Sequence, residues 1–179
     1  SVVPLTDVRR ALDHTATAKN LVAITFDDGF RSVYEYGFPV LQRYGFTATV
    51  FLVTDYCGKT NSWLGQPRNI TRRPLLSWAE IKEMDQAGII FSSHTRTHPD
   101  LRTVTRRDAE EEMMASKKVI EDATGRPVDT LAYPYGAYDN RLQSLAQVHF
   151  SVACTTMLDF VRAGDEPLGT QHAAAGDLR

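Results

Sequence analysis

Two neighbouring carboxylates and two histidines set four positions apart are the residues of this chain best suited to metal chemistry. Asp27 and Asp28 stand directly before Gly29, and His94-Thr95-Arg96-Thr97-His98 spaces its imidazoles to share one face of a helical turn. Pro99 biases His98 away from helix, so a turn at a strand end is expected. In either conformation both rings can reach one ion. Two histidines and one carboxylate make a catalytic zinc set with an open position for water. Of two adjacent carboxylates, one can serve as ligand while the other takes a proton from that water. Each signal also has an ordinary structural explanation. Asp-Asp-Gly suits a plain β-turn, because Gly tolerates positive φ and Asp bonds local amides, and two histidines can be unrelated surface or core residues.

The elements around these residues bring them together. Residues 21–26 are an apolar, β-branched run that ends at Asp27-Asp28-Gly29, a strand entering a turn. A helical stretch follows with Tyr34, Phe38 and Leu41 on one face, a fresh turn at Pro39 and a stop at Gly45. Residues 46–54 read as the second strand. Residues 57–76 form a polar loop longer than most connections, and such loops are often functional. Ser77-Trp78-Ala79-Glu80 is a capping box that starts a helix through Ile81 and Met84. Residues 89–93 are the third strand, ending at His94, and 107–123 a longer helix closed by Gly125 and Pro127. Residues 130–133 are a fourth strand ended by Pro134-Tyr135-Gly136, 138–148 a helix and 150–155 a fifth strand. Strands alternating with helices predict a parallel sheet with right-handed crossovers. On such a sheet the carboxyl ends of the strands form one rim, where ligands bind. Asp27, Asp28, His94, His98 and Tyr135 all fall on it.

The chain has 179 residues, which predicts a single domain over 1–179. A full eight-unit barrel takes about 250 residues, so the α/β fold expected is a distorted or incomplete (β/α) barrel, or an open α/β sheet. With 20 Lys and Arg against 22 Asp and Glu, and with its basic pairs scattered, the chain carries no surface suited to nucleic acid. No apolar run approaches the roughly 20 residues of a membrane span. The first residues show no basic start followed by an apolar core, so no signal peptide is expected there. Two cysteines, Cys57 and Cys154, exclude a disulfide scaffold and a four-thiolate zinc site, and leave one bridge open as a possibility.

Thr25-Phe26-Asp27-Asp28-Gly29, His94-Thr95-Arg96-Thr97-His98 and Tyr133-Pro134-Tyr135-Gly136 closely resemble the first three motifs of the polysaccharide deacetylases, the NodB-homology domain of carbohydrate esterase family four. The resemblance runs over residues 18–156 and implies a deformed (β/α) barrel that uses a divalent metal to remove acetyl groups from N-acetylated or, less expected, O-acetylated glycans. Carried over residue by residue, it makes Asp27 the catalytic base, Asp28, His94 and His98 the metal ligands, and the main-chain N–H of Tyr135 a holder of the oxyanion. Zinc suits two histidines and an aspartate best, with cobalt, nickel and manganese as other candidates. The chain departs from the family at three places. Ala132 stands where many members have an arginine that tethers the catalytic Asp. No Asp-x-x-Asp-Trp follows Gly136, and the late Leu-x-His that supplies a general acid has no clear match. His149 reads as a packing residue, which leaves His172 as general acid if the tail folds back over the rim. That tail, after Asp165, reads as divergent or cut short. Trp63 on the long loop could stack on a sugar or equally pack its own loop, and Tyr133 and Tyr135 could line the pocket. Two other functions share the scaffold: hydrolysis of a non-peptide C–N bond in a small amide, and glycan binding without catalysis. The intact Asp-His-His set favours the deacetylase, and the sequence leaves oligomeric state open.

Overall fold

The structure is a computed structural model that describes residues 1–13, 21–67, 69–156 and 170–171. Among these, six strands pair in chain order, all parallel: β1 (Thr25–Phe26), β2 (Thr49–Leu52), β3 (Ile90–Ser93), β4 (Thr130–Ala132), β5 (Val152–Thr155) and β6 (Thr170–Gln171). Parallel neighbours cannot be joined by a hairpin. The crossovers are α2 (Phe38–Tyr44), led in by a π-helical segment Val33–Gly37, then α3 (Trp78–Gln86), α4 (Arg106–Thr124) and α5 (Asn140–His149). A doubly wound sheet would reverse its strand order at a switch point. This order never reverses, and the strands curl as a partial barrel, so of the two expected architectures the incomplete barrel is the one formed.

Side-chain alternation along the strands divides the interior into two layers. Val50, Leu52, Phe91, Leu131 and Tyr133 face the helices and join Ile81, Met84, Met113, Ile120 and Leu142 in the larger cluster. Phe51, Ala132, Val152 and Cys154 face the other way and meet Leu5. Leu5 belongs to α1 (Leu5–Asp13), an element the sequence reading left unassigned. Because both faces are covered, β2 and β5 are buried at every position.

The helix signals act as expected. Ser77 Oγ accepts from Glu80 N, and the Glu80 carboxylate accepts from Ser77 N at 2.8 Å, closing the capping box on α3. Thr105 caps α4 and Gly125, at φ +70°, ends it. The first strand is shorter than the expected 21–26. Val22 turns aside to pair with the N-terminal segment, with Val3 N donating to Val22 O at 2.9 Å, and only Thr25–Phe26 joins β2. The long loop is pinned rather than loose: Asn61 Oδ1 accepts from Arg73 N at 2.7 Å, and short bridges link Thr60 to Pro74 and Phe30 to Leu75. Cys57 and Cys154 are both free thiols, so no bridge forms.

Candidate metal centre

Asp27 and Asp28 follow β1, His94 follows β3 and Tyr135 follows β4, so the rim expected from the sequence exists. Asp28, His94 and His98 converge on it. Asp28 Oδ1 lies 3.4 Å from His94 Nε2 and 3.4 Å from His98 Nε2, and the two Nε2 atoms are 3.2 Å apart. Ligands about 2.0–2.2 Å from one tetrahedral ion stand about 3.3–3.6 Å from each other. The three atoms therefore fit a single divalent metal.

The outer contacts agree with that role. His94 Nδ1 lies 2.8 Å from the carbonyl oxygen of Ala132, an acceptor only, so Nδ1 carries the proton and Nε2 presents a lone pair to the centre. Burial opposes ionisation of Asp28, yet its hydrogen bond with His94 and the charge of His94 hold its pKa below the ordinary carboxylate value. Burial also opposes a charge on His94, but the bond to Asp28 and the charges of Asp27 and Asp28 raise its pKa. For His98, burial and the neighbouring His94 push the value down to about 3, so its ring is neutral and free to ligate.

Four non-glycine residues have positive φ among those described: Asp28, Thr95, His98 and Tyr135. All four sit at this centre. Such conformations cost of order 1–3 kcal/mol each and persist where the surroundings enforce them, commonly at active sites. Gly29 shares the turn with Asp28 at φ +71°, and an added Cβ there would come within 2.7 Å of Leu52 Cδ2. A Cβ on Gly136, beside Tyr135, would overlap Thr156. The glycines of both motifs are thus demanded by their turns.

Asp27 is beside the ligands but outside their set. Its Oδ1 is buried and has no hydrogen-bond partner in the protein. Ala132, where the arginine tether is missing, supplies only its carbonyl, and that goes to His94. Tyr135 is 48% exposed at the rim, its ring 4.7 Å from that of His98.

Two expectations for the aromatics are corrected. Trp63 is only 4% exposed, so it is not an open platform for a sugar. Its ring packs 4.4 Å from His98 and meets Tyr56 edge-on, forming the wall behind a ligand. Tyr133 is 1% exposed and stacks on Tyr138 at 5.4 Å in the layer beneath the helices. Strand alternation explains this: Ala132 faces the barrel interior, so its neighbour Tyr133 must face outward. His149, the last residue of α5, has Nε2 3.0 Å from Glu110 Oε1 on α4, a polar contact rather than a purely apolar setting. His172 lies outside the described residues. The sequence reading overlooked Glu112, whose carboxylate bonds the segment between the two histidines. Nothing in its local pattern, the middle of an acidic run on a helix, singles it out.

The family model for polysaccharide deacetylase matches residues 14–152. YxkH of Bacillus subtilis, assigned by name to the polysaccharide deacetylases, is 31% identical over 140 residues, covering 78% of this chain and 46% of that protein. The poly-beta-1,6-N-acetyl-D-glucosamine N-deacetylase of Staphylococcus aureus is 30% identical over 129 residues, covering 66% of this chain and 41% of its own length. The chain therefore spans less than half of these curated relatives. Among solved structures, the Streptococcus pyogenes deacetylase PplD in complex with acetate superposes with a TM-score of 0.81 at 27% identity, covering 94% of this chain and 70% of that one.

Proposed function

Because the chain belongs to the polysaccharide deacetylase family, we propose that it is a metal-dependent hydrolase that removes acetyl groups from N-acetylated glycans. The observation that carries this reading is the convergence of Asp28, His94 and His98 at 3.2–3.4 Å with a second, unpartnered carboxylate alongside. Zinc is the metal assigned, since two imidazoles and a carboxylate suit it and an open fourth position is what hydrolysis requires. The N-acetylglucosamine-directed relative from Staphylococcus aureus supports an amide rather than an ester substrate.

When bound, a divalent metal supplies Lewis acidity, polarising a carbonyl and acidifying water. The remaining work falls to the chain. Asp28, His94 and His98 would hold the metal, the two rings through Nε2. Asp27, with a bare carboxylate oxygen, accepts the proton that water gives up on attacking the acetyl carbon, and that proton passes to the sugar nitrogen as the C–N bond breaks. The main-chain N–H of Tyr135, set by its left-handed turn, donates to the oxygen that becomes negative. The exposed Tyr135 ring leaves the rim open to a long substrate.

The test is metal analysis of the purified chain together with acetate release from N-acetylglucosamine oligomers, with and without added zinc. Close to one equivalent of metal and metal-dependent acetate release are expected. Metal without acetate from N- or O-acetylated glycans would overturn the deacetylase reading in favour of glycan binding or another amide. Absence of any tight metal binding would overturn the site itself.

A further inference from the structure

The segment that carries both histidines cannot hold its shape from within. Thr95 and His98 both lie at positive φ, +68° and +62°, and Thr95 is β-branched, the kind of residue least suited to that region. Local bonds help: Thr95 N donates to Ser93 Oγ at 3.3 Å and His98 N to Thr95 Oγ1 at 3.1 Å. Both belong to the segment itself and would move with it. Main-chain bonds from other elements hold residues 95 and 96: Thr54 N donates to Thr95 O at 3.3 Å, Asp55 N to Arg96 O at 3.0 Å, and Arg96 N to the main-chain O of Glu112 at 3.1 Å. Residue 97 is held by a side chain. Glu112, on α4, accepts from Arg96 N at 3.0 Å and Thr97 N at 2.8 Å through Oε2, and from the Thr97 hydroxyl at 2.8 Å through Oε1. Its neighbours in the acidic run are engaged elsewhere, Glu110 with His149 and Glu111 at the edge of Arg96.

We propose that Glu112 is the positioning residue of the metal centre, its carboxylate clamping residues 96 and 97 so that His94 and His98 present Nε2 to one ion. The proposal rests on the metal-site reading above. It assigns Glu112 no contact with metal or substrate. The role is that of an acceptor: two N–H groups and one hydroxyl from a strained turn end on one side chain of a long, capped helix. With the carboxylate gone, Arg96 N keeps the Glu112 main-chain oxygen, but Thr97 N and the Thr97 hydroxyl lose their acceptor, and the turn leading into His98 is free to shift from the 3.2–3.4 Å ligand spacing. Outer partners of metal ligands commonly change affinity by about 10–100-fold when removed.

The experiment is zinc titration of the metal-free chain in competition with a chromophoric chelator, on variants shown to be folded by circular dichroism. Glu112→Ala is expected to weaken zinc binding by about 10–100-fold. Glu112→Gln keeps an amide oxygen for both N–H donors and an amide NH₂ for the Thr97 hydroxyl to accept from. It is expected to stay within about threefold of the parent, a rescue that general loss of stability would not produce. Should Glu112→Ala fail to fold, Thr97→Val, which removes one of the three bonds, is expected to bind zinc about threefold to tenfold more weakly. Unchanged affinity in folded Glu112→Ala, or in Thr97→Val where that variant stands in, overturns the proposal while leaving the metal site intact. A Gln variant as weak as Ala also overturns it, since geometry alone would then not account for the effect. A parent chain that binds no zinc fails the earlier reading instead, and this one with it.

Discussion

Asp27 and Asp28 are adjacent and identical in type, yet the fold gives them different surroundings. Asp28 lies at φ +66° with its carboxylate between two imidazoles, whereas Asp27 keeps a buried oxygen free of any protein donor. Asp27→Asn is therefore expected to bind zinc as the parent does and to lose about 10²–10⁴-fold in turnover, read by metal analysis beside acetate release. His94→Ala should lose the metal itself. The two histidines differ as well. Metal ligation requires bare nitrogens; His98, held at about 3, offers one throughout the physiological range, whereas His94 is raised by Asp28 and Asp27. As pH falls through the raised His94 value, a proton comes to compete with zinc. Binding should therefore weaken on acidification and release close to one proton, measurable by calorimetry at pH 6 in buffers of different ionisation enthalpy. Release of two protons would show that both rings start protonated and would refute the asymmetry.

At the scale of elements, the rim depends on turns that tolerate only certain residues. Gly29 lies at φ +71° against Leu52, which is buried in the helix-facing layer and cannot give way freely. Gly29→Ala should cost about 1–3 kcal/mol in urea unfolding and displace Asp28 enough to weaken zinc binding. A control away from the centre is Ser77→Ala, at the N-cap of α3. It removes the α3 capping box, and should cost about 1 kcal/mol while leaving zinc affinity unchanged. The contrast between the two separates turns that shape the centre from caps that only stabilise a crossover helix. The α4 helix does both, since the element that covers β3 also brings Glu112 to the histidine segment.

At the scale of the molecule, the six parallel strands among the described residues form a partial barrel whose inner face is covered in part by Leu5 of α1. Leu5 of α1 is buried against Phe51, Ala132, Val152 and Cys154, on the same strands that carry the rim residues. Leu5→Ala should destabilise the chain by about 2–4 kcal/mol in urea unfolding. With zinc bound, part of that loss should be recovered, because an ion that binds only the folded state raises its stability. No described helix is long and apolar enough to cross a membrane.

The amino-acid sequence by itself determined the order of the elements from β1 to β5, though neither α1 nor β6, and the rim on which Asp27, Asp28, His94 and Tyr135 gather. These are local properties: strand runs end at Gly or Pro, caps sit within four residues of what they cap, and parallel sheets put strand ends on one side. Only the tertiary structure decided which partner each side chain meets. Trp63 looked like a loop aromatic and is instead the packed wall behind His98, because the 57–76 loop is tied down across its own length. Tyr133 and Ala132 are neighbours in sequence and face opposite layers, a matter of strand phase that motif matching does not carry. Glu112 is one glutamate among three in a row, and its role exists only because α4 packs where three donors of a strained turn point outward. Spacing along a chain encodes periodicity, but the meeting of residues 16 positions apart depends on how helix and sheet pack.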